Sequence, residues 1–322
     1  MKLICLEDLP DNFKVQLEDS FRKELFSEAV KSSGGFLKLA EKLNFDHSSL
    51  TKIRRGYRLR KNKKFPAFMR IPLLRKLIEI TKIDIRKVEK NIEGLVTNKA
   101  VIKVNLPICV TEELASLIGH AFGDGHVSTQ RFKYVNKRKE LVDEVKNYTN
   151  LIFGHEGREF YIKNKECFGI EFPGVVGHLL HLVGAVHGRK TVKEMSVPNW
   201  IKKSSDEIKI SFIRALFDDE GSVIISKFQS FICISMYKDV KLIESHLKFL
   251  NEIRQILIEL GIKPTKAMYK KDYKDTKEFG LRIYSFNSLL NFSKKIKFTH
   301  LLKNEKLMSI LELKSYNQNF YQ

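Results

Sequence analysis

The sequence has few cysteines and no long apolar run. Its four cysteines are scattered, with no Cys-x-x-Cys pair and no histidine at zinc-ligand spacing, so the pattern gives no indication of zinc. Scattered thiols of this kind are typical of reduced core residues in an intracellular protein. Because no run of 18 apolar residues is present and the first residues lack a signal-peptide core, we expect neither a membrane span nor secretion.

Acidic residues are also scarce in one region. Between positions 47 and 78 there is no aspartate or glutamate, while eleven lysines and arginines fall in the same stretch. Over the whole chain of 322 residues, 58 basic residues face 38 acidic ones, and the formal net charge is +20. Such a surplus predicts a polyanionic partner, bound with an affinity that falls steeply with salt. An anionic membrane surface would fit the charge equally well, but the chain offers no span.

Residues 1–100 are predicted to form an all-α domain. Helical patterns at 36–43 and 48–56 are separated by a short turn, and the second pattern opens on a Ser-Ser pair and closes on a glycine. Two short helices joined in this way are the signature of a helix-turn-helix, whose second helix enters the major groove of DNA.

Further helices are expected near 20–34, 73–80 and 85–92, before a linker at 91–105. A flexible basic loop at 58–64 is expected to lie on phosphate. The DNA-contacting residues predicted for this domain are Ser48, Ser49, Thr51, Lys52, Arg54, Arg55, Arg58 and Arg60.

A nine-residue stretch occurs twice, about a hundred residues apart. The first copy, at 117–125, reads Leu-Ile-Gly-His-Ala-Phe-Gly-Asp-Gly, and the second, at 213–221, reads Ile-Arg-Ala-Leu-Phe-Asp-Asp-Glu-Gly. In each copy an apolar helix with small residues on one face runs into an acid, a glycine and then strand-forming residues. The two acids are Asp124 and Glu220.

The small residues predict that the two helices pack together. Gly119 and Gly123 lie one helical turn apart on the same face, and Ala215 is expected opposite Gly119, so the backbones could nearly touch. Asp124 and Glu220 would then emerge close together at the ends of the helices. Two carboxylates in that position make a site for hard divalent cations.

The elements after each motif follow the same order. Helix, hairpin, helix, hairpin and helix are predicted over 105–203 and again over 204–322. A repeat of this length predicts two pseudo-symmetric αββαββα halves around a twofold axis. Each antiparallel sheet would pack one face on helices and leave the other free for a ligand. The fold class is therefore α+β, with an additional N-terminal domain.

These paired motifs resemble those of the LAGLIDADG homing endonucleases of the two-motif, monomeric type, over roughly residues 105–320. The resemblance implies saddle-shaped sheets and hydrolysis of both strands of double-stranded DNA across a narrowed minor groove. It also implies short 3′ overhangs and Mg²⁺ as the cofactor, with Mn²⁺ as a substitute.

The resemblance implies roles for individual residues as well. The two acids would hold the metal ion together with the backbone carbonyls before them. A lysine preceding the final helix of each half would stabilise charge and position water near the scissile phosphate. The implied metal ligands are Asp124, Glu220, Gly123 and Asp219, and the implied lysines are Lys190 and Lys303. The glutamate at 220 departs from the more common aspartate and adds a methylene.

Other side chains are expected around this centre. Asn136 and Ser235, near the ends of equivalent strands, could hydrogen-bond the active-site waters, and His120 is expected at the helix interface rather than as a ligand. Recognition of the DNA sequence would depend on polar residues on the free faces of the sheets. Those named for DNA contact are Arg131, Lys133, Lys227, Gln229 and Arg282.

The leading hypothesis is a monomeric, site-specific DNA endonuclease located in the cytoplasm with the nucleoid. A DNA-binding regulator that kept the fold and lost cleavage is a second hypothesis, and an intron maturase that binds intron RNA is a third. Retention of both acids favours the nuclease, because a binding-only protein gains nothing from two carboxylates facing phosphate.

Overall fold

The structure is a computed structural model that describes residues 1–60, 63–97, 101–226 and 229–319. The chain divides into two compact units. Unit 1 comprises Met1–Cys109 with Leu151–His155, and unit 2 comprises Val110–Asn150 with Glu156–Gln322. Within the described ranges, no helix is both long and apolar enough to cross a membrane.

Unit 1 mixes helices and strands, so the prediction of an all-α domain is wrong. Its strands are short, and several of them pair with segments distant in sequence, which local helical patterns do not reveal. The predicted linker is likewise wrong, because it contains two of these strands. The elements are β1 (Lys2–Ile4), β2 (Lys14–Leu17), α1 (Asp19–Ser33), α2 (Phe36–Leu43), α3 (His47–Arg55), β3 (Tyr57–Arg60), β4 (Lys63–Pro66), β5 (Met69–Arg70), α4 (Ile71–Thr81), α5 (Ile85–Lys90), β6 (Ile92–Val96), β7 (Val101–Ile102) and β8 (Ile108–Cys109).

The sheet of unit 1 has the strand order β5-β2-β6-β7, and every pairing in it is antiparallel. β2 alternates between buried and half-buried positions, with Val15 and Leu17 buried. Those side chains join a core that includes Phe21, Leu25 and Phe26 of α1, all nearly inaccessible to solvent. The sheet therefore supports the helices that the sequence analysis predicted.

The two helices of the predicted helix-turn-helix are α2 and α3. α3 is capped by Asp46, whose carboxylate accepts a hydrogen bond from the backbone N–H of Ser49 at 2.7 Å, so the predicted Ser-Ser cap is wrong. The helix ends at Gly56, which has a φ of 79° and therefore adopts the left-handed conformation that favours glycine.

The chain after α3 forms a hairpin. β3 and β4 pair antiparallel, with Tyr57 opposite Pro66 and Leu59 opposite Lys64. The prediction of a flexible basic loop at 58–64 is therefore wrong for residues 58–60 and 63–64, which belong to these strands. The aromatic residues Tyr57 and Phe65 suit the pleated conformation of these strands.

Unit 2 contains two antiparallel sheets packed against helices. Its elements are α6 (Glu112–Phe122), β9 (His126–Val127), β10 (Arg131–Asn136), α7 (Lys139–Phe153), β11 (Arg158–Ile162), β12 (Cys167–Pro173), α8 (Gly174–Leu182), α9 (Asn199–Lys202), α10 (Asp206–Glu220), β13 (Gly221–Ile224), β14 (Phe231–Asp239), α11 (Ile243–Glu259), β15 (Met268–Tyr273), β16 (Thr276–Ile283), α12 (Phe286–Asn291) and α13 (Leu301–Asn319). The end of α7 falls within the stretch assigned to unit 1.

The two sheets have corresponding strand orders. The first is β9-β10-β12-β11 and the second is β13-β14-β16-β15. In each, the strand after the motif helix pairs with the longer strand that follows it, as Val127 does with Phe132 and Val223 with Ile232. The core includes stacked rings of Phe122 and Phe249, with centroids 5.6 Å apart.

Candidate active site

Small residues bring α6 and α10 into close contact. A Cβ atom added to Gly119 would lie 2.5 Å from the carbonyl oxygen of Phe212 and 2.7 Å from the Cβ of Ala215. No larger residue fits at position 119 unless the helices move apart. One turn later, a Cβ on Gly123 would meet the side chain of Asp219. This packing brings the C-terminal ends of the two helices together.

Asp124 and Glu220 lie at those ends. Asp124 follows the last residues of α6 and is exposed, whereas Glu220 is the last residue of α10 and is half-buried. Although one side of Asp124 is open to water, burial by the surrounding protein raises the pKa of its carboxyl to about 7, and the charge of Asp219 adds to the rise. Burial also raises the pKa of Glu220 to about 7, helped by the charge of Asp124. Asp124 is therefore close enough to Glu220 to oppose ionisation of the Glu220 carboxyl.

The two predicted lysines contact the turns that carry these acids. The Nζ of Lys190 donates hydrogen bonds to the carbonyls of Gly123, Ala121 and Gly125, the last two at 3.2 and 2.8 Å. Lys190 begins a 3₁₀ turn, Lys190–Val192, in the segment between α8 and α9. Burial lowers the pKa of its ammonium, and the three nearby carboxylates partly offset that effect.

Lys303, in the first turn of α13, makes the corresponding contact with α10. Its Nζ donates to the carbonyl of Phe217 at 3.1 Å and to that of Asp218. Burial lowers the pKa of the Lys303 ammonium. The charges of nearby acids, of which Asp218 has the largest effect, oppose that shift. The structure thus brings together both acids and both lysines that the sequence analysis named.

The side chain of Asp219 crosses the helix interface. Its Oδ2 accepts from the backbone N–H of Asp124 at 3.0 Å and lies 3.1 Å from Nδ1 of His120, while its Oδ1 accepts from the hydroxyl of Tyr134 at 2.6 Å. His120 is fully buried, as an interface residue should be. A metal-binding role for the backbone carbonyl of Asp219 stays a prediction. The side-chain contacts of Asp219 and the part played by Tyr134 were not predicted, although Tyr134 is an inward-facing position of an alternating strand.

The histidine is held between two acids. Burial alone would lower the pKa of His120, but the charges of Asp219 and Glu144 outweigh burial and raise it to about 10. The Nε2 of His120 lies 3.7 Å from the Glu144 carboxylate. His120 is therefore protonated near neutral pH, and its charge compensates two buried acids.

Two further polar residues organise the centre. Asn136 donates from Nδ2 to Oδ2 of Asp124 at 2.8 Å, which fixes the carboxylate rather than a water. Asp218 is buried, and its carboxylate accepts from the backbone N–H groups of Thr299 and His300 at 3.1 and 3.0 Å. Asp218 therefore caps the turn that leads into the helix bearing Lys303. Ser235 is engaged instead by the Nζ of Lys270, at 3.0 Å.

The predicted DNA-contacting residues of unit 1 lie on α3 and on β3. Ser48 and Lys52 are exposed, although the hydroxyl of Ser48 donates to Asp46 at 2.8 Å and so belongs to the cap. The guanidinium of Arg54 lies over the ring of Phe36, 5.2 Å from its centroid. Of the remaining members, Ser49 and Thr51 are half-buried and Arg55 is exposed, while Arg58 and Arg60 are strand residues.

The predicted sheet residues of unit 2 are dispersed. Arg131 is exposed and lies 3.3 Å from Glu171, and the Nζ of Lys133 lies over the ring of Phe160. Arg282 donates to the hydroxyl of Tyr284 at 2.9 Å. Gln229 is exposed, and its backbone N–H and carbonyl both hydrogen-bond the hydroxyl of Ser226. Lys227 lies outside the described residues.

The oxygens around the two acids fit a hard, hydrated cation. No group of three or more histidine, cysteine, aspartate or glutamate side chains among the described residues forms a metal-binding cluster. An ion at this position would therefore take two carboxylates, backbone carbonyl oxygen and water. That donor set suits Mg²⁺, which keeps several of its waters, and it does not suit a closed zinc site.

The chain contains a LAGLIDADG-like domain. Residues 207–297 match the family model with that description, a range that begins in α10 and includes Glu220. The match supports the resemblance for the part of unit 2 that carries the second motif, and the first motif at 117–125 lies outside the matched range.

Curated relatives are similar over a fraction of their length. The tRNA-splicing ligase RtcB of Pyrococcus furiosus is 28% identical over 206 residues, which cover 58% of this chain and 21% of the relative. The DNA-directed RNA polymerase subunit Rpo1N of Methanocaldococcus jannaschii is 27% identical over 263 residues, which cover 69% of this chain and 19% of the relative. The chain thus spans about a fifth of the length of these relatives.

Solved structures give more distant likenesses. I-DmoI in complex with DNA and Mn is 14% identical, with a TM-score of 0.39 and coverage of 57% of this chain and 96% of that one. Full-length DUF199/WhiA from Thermatoga maritima is 15% identical, with a TM-score of 0.39 and coverage of 64% and 62%. Likenesses at this level carry no argument about function.

Proposed function

We propose that the protein is a site-specific, metal-dependent double-strand DNA endonuclease. The observation that carries the proposal is the placement of Asp124 and Glu220 at the ends of two tightly packed helices, where the charge of Asp124 helps to raise the pKa of Glu220. Carboxylates facing phosphate weaken DNA binding unless a cation lies between them. The LAGLIDADG-like domain supports the same class of function.

The proposed nuclease has two pseudo-symmetric halves, 105–203 and 204–322, in one monomeric chain. The shared strand order of the two sheets and the recurrence of a motif helix before each support this division. Each half would present one acid to one strand across the minor groove. Residues 1–100 would form an accessory DNA-binding unit in which α2 and α3 act as a helix-turn-helix.

The metal would be held by few protein groups. Asp124, Glu220 and the backbone carbonyls of Gly123 and Asp219 would bind Mg²⁺, or Mn²⁺ as a substitute. The ion would compensate charge at the scissile phosphate and acidify a bound water. Asn136 keeps the Asp124 carboxylate in one orientation through its 2.8 Å hydrogen bond. Preorientation of this kind removes a reorganisation cost from the reaction.

The lysines provide fixed positive charge beside the acids. Lys190 and Lys303 would stabilise the negative charge that develops on the phosphate oxygens. Their contacts with carbonyl oxygens hold each ammonium next to an acid-bearing turn. A small movement of either Nζ would exchange a carbonyl for a phosphate oxygen.

Duplex DNA suits the charge and the surfaces of both units. The net charge of +20 would supply much of the affinity through phosphate contacts. Exposed basic residues on α3 suit the major groove, and the polar free faces of the two sheets suit base edges. The expectation of an RNA partner gains no support from the family match.

A DNA-binding regulator without cleavage is the second candidate. The observation that favours it is the contact between the Nζ of Lys190 and the Gly123 carbonyl, an oxygen that the nuclease would offer to a metal ion. If the lysine holds that oxygen permanently, the centre binds DNA without hydrolysing it. The ligase and polymerase activities of the relatives are not proposed, because the chain spans so little of those proteins.

A cleavage selection separates the two candidates. The protein is incubated with a library of randomised duplexes and Mg²⁺, and both cut and bound molecules are sequenced. The nuclease proposal predicts a discrete cleaved sequence that disappears in the Asp124→Asn, Glu220→Gln double variant while binding persists. Recovery of a discrete bound sequence with no cut ends by the wild type would establish the regulator instead.

A further inference from the structure

Lys238 is a buried lysine on the helix-facing side of β14. The alternating residues Ile232, Ile234 and Met236 point to the same side and are buried. Lys238 continues this alternation and is 1% exposed. The alternation therefore predicts an apolar residue at this position, where the sequence has a lysine. Such an exception to the pattern indicates a role other than packing.

The ammonium of Lys238 has little compensation. Among the described residues, its recorded hydrogen bond is to the backbone carbonyl of Lys190, at 2.7 Å, and it forms no ion pair there. Burial lowers its pKa to about 8, with the charge of Lys190 adding to that effect and Glu194 opposing it. A charge buried in this way costs stability relative to an apolar residue of similar size.

The acceptor of this hydrogen bond belongs to the candidate active site. Lys190 begins the turn Lys190–Val192, and its Nζ holds the carbonyls of Ala121 and Gly125 on either side of Asp124. Lys238 thus fixes the backbone of the residue whose side chain holds the Asp124 turn. Hydrogen bonds on either side of Lys190 therefore link the interior of the second sheet to the turn that carries the first acid.

The second lysine is supported differently. The turn before Lys303 is held by the carboxylate of Asp218, which accepts from two backbone N–H groups at 299 and 300. An acid therefore supports the turn of one lysine, whereas a lysine supports the turn of the other. The Lys190 turn therefore depends on Lys238, whereas the Lys303 turn does not.

We propose that Lys238 is a positioning residue that holds Lys190 at the Asp124 centre. The reaction it serves is the one given under Proposed function, and its contact with the Lys190 turn can be tested without that reaction. Replacing Lys238 with methionine removes the donor and the charge while keeping an unbranched chain in an apolar site. The variant should therefore fold with unchanged or higher thermal stability.

The first readout is independent of catalysis. Amide hydrogen exchange is compared at 190–193 in the wild type and in Lys238→Met. Loss of the hydrogen bond should raise exchange of the Lys190 turn by about tenfold, with the turn before Lys303 unchanged. Lys277→Met, a lysine opposite Lys238 on β16 with a 39% exposed side chain, is the matched control and should leave both turns unchanged.

The second readout is strand-resolved cleavage of a target selected with the wild type. Lys238→Met should lower kcat for cleavage of one DNA strand by about tenfold with little change in KM. The reason is that Lys190 is displaced while the DNA-binding surface is intact. In a Lys190→Met background the same substitution should have less than about a twofold further effect. A purely structural role would make the two effects multiply.

The outcomes separate this proposal from the proposed function. Unchanged exchange at the Lys190 turn in Lys238→Met would overturn the positioning role, whether or not the wild type cuts DNA. Multiplicative effects of Lys238→Met and Lys190→Met would also overturn it. A wild type that cuts no target would refute the nuclease, and raised exchange at 190–193 would still establish the contact.

Discussion

Asp219, on α10, accepts a hydrogen bond from the backbone N–H of Asp124, which follows α6; the N to Oδ2 distance is 3.0 Å. One motif therefore caps the helix end of the other. The same carboxylate contacts His120 and Tyr134, so the interface between the helices is polar at this end. The position of the first acid depends on the second motif being in place.

The charge on His120 predicts a dependence of stability on pH. Its folded-state pKa of about 10 lies above the unfolded value, so its contribution is full below about pH 6.5 and is lost as the pH rises through about 10. The difference in unfolding free energy between wild type and His120→Gln should therefore shrink between those two pH values. Urea unfolding across this range measures it, and a difference that grows with pH would contradict the assignment.

The glycine at 119 predicts a steric effect. Gly119→Ala places a Cβ 2.5 Å from the Phe212 carbonyl oxygen, and the free energy of unfolding should fall by about 1–3 kcal/mol. Adding Ala215→Gly removes one of the two close contacts, so the double variant should recover part of the loss. Chemical denaturation of the wild type and the two variants measures this, and equal stability of Gly119→Ala and wild type would disprove close packing.

The two raised carboxyl pKa values predict stabilisation by Mg²⁺. Because both carboxyls have a pKa of about 7, they are largely ionised at pH 8 and protonated at about pH 5. Saturating Mg²⁺ should raise Tm at pH 8 and have little effect at about pH 5. The rise in Tm should vanish in the double variant Asp124→Asn, Glu220→Gln. It should persist in Asp206→Asn, which alters an exposed acid at the start of α10, the helix that ends at Glu220. A rise that survives the double substitution would place the cation elsewhere.

The basic face of α3 predicts a change in salt dependence. Lys52→Gln should weaken DNA binding to all sequences alike and reduce the slope of log affinity against log salt by about one. Lys42→Gln, an exposed lysine on α2, is the control and should leave the slope unchanged. Fluorescence anisotropy over a salt series measures both, and identical slopes for all three proteins would remove α3 from the interface.

Much of unit 2 could be predicted because its signals are local. The spacing of Gly119 and Gly123 and the alternation of the strands predict helices and hairpins that the structure contains, including the helix Lys139–Phe153. The strands of unit 1 were not predicted. β2 pairs with β6, where Leu17 lies opposite Ile92, and no local period encodes that pairing. The contacts of Asp219 could not be predicted for the same reason, because its partners His120 and Tyr134 are 99 and 85 residues away in the sequence.

The buried lysine could have been found from the sequence alone. The strand Phe231–Asp239 alternates apolar residues at 232, 234 and 236, and Lys238 is in the same phase. What the sequence could not give is its acceptor, the carbonyl of Lys190, which is 48 residues away. Identifying a broken pattern requires only the period, whereas explaining it requires the tertiary contact.

Each of the two carboxylates is proposed to serve one DNA strand. The most direct test is cleavage of a selected duplex labelled differently on its two strands, with wild type, Asp124→Asn and Glu220→Gln in Mg²⁺. The account predicts that wild type cuts both strands and that each variant loses cleavage, with any residual nick confined to the strand served by the intact acid. Cutting of both strands by either variant, at the wild-type positions and rate, would contradict the account.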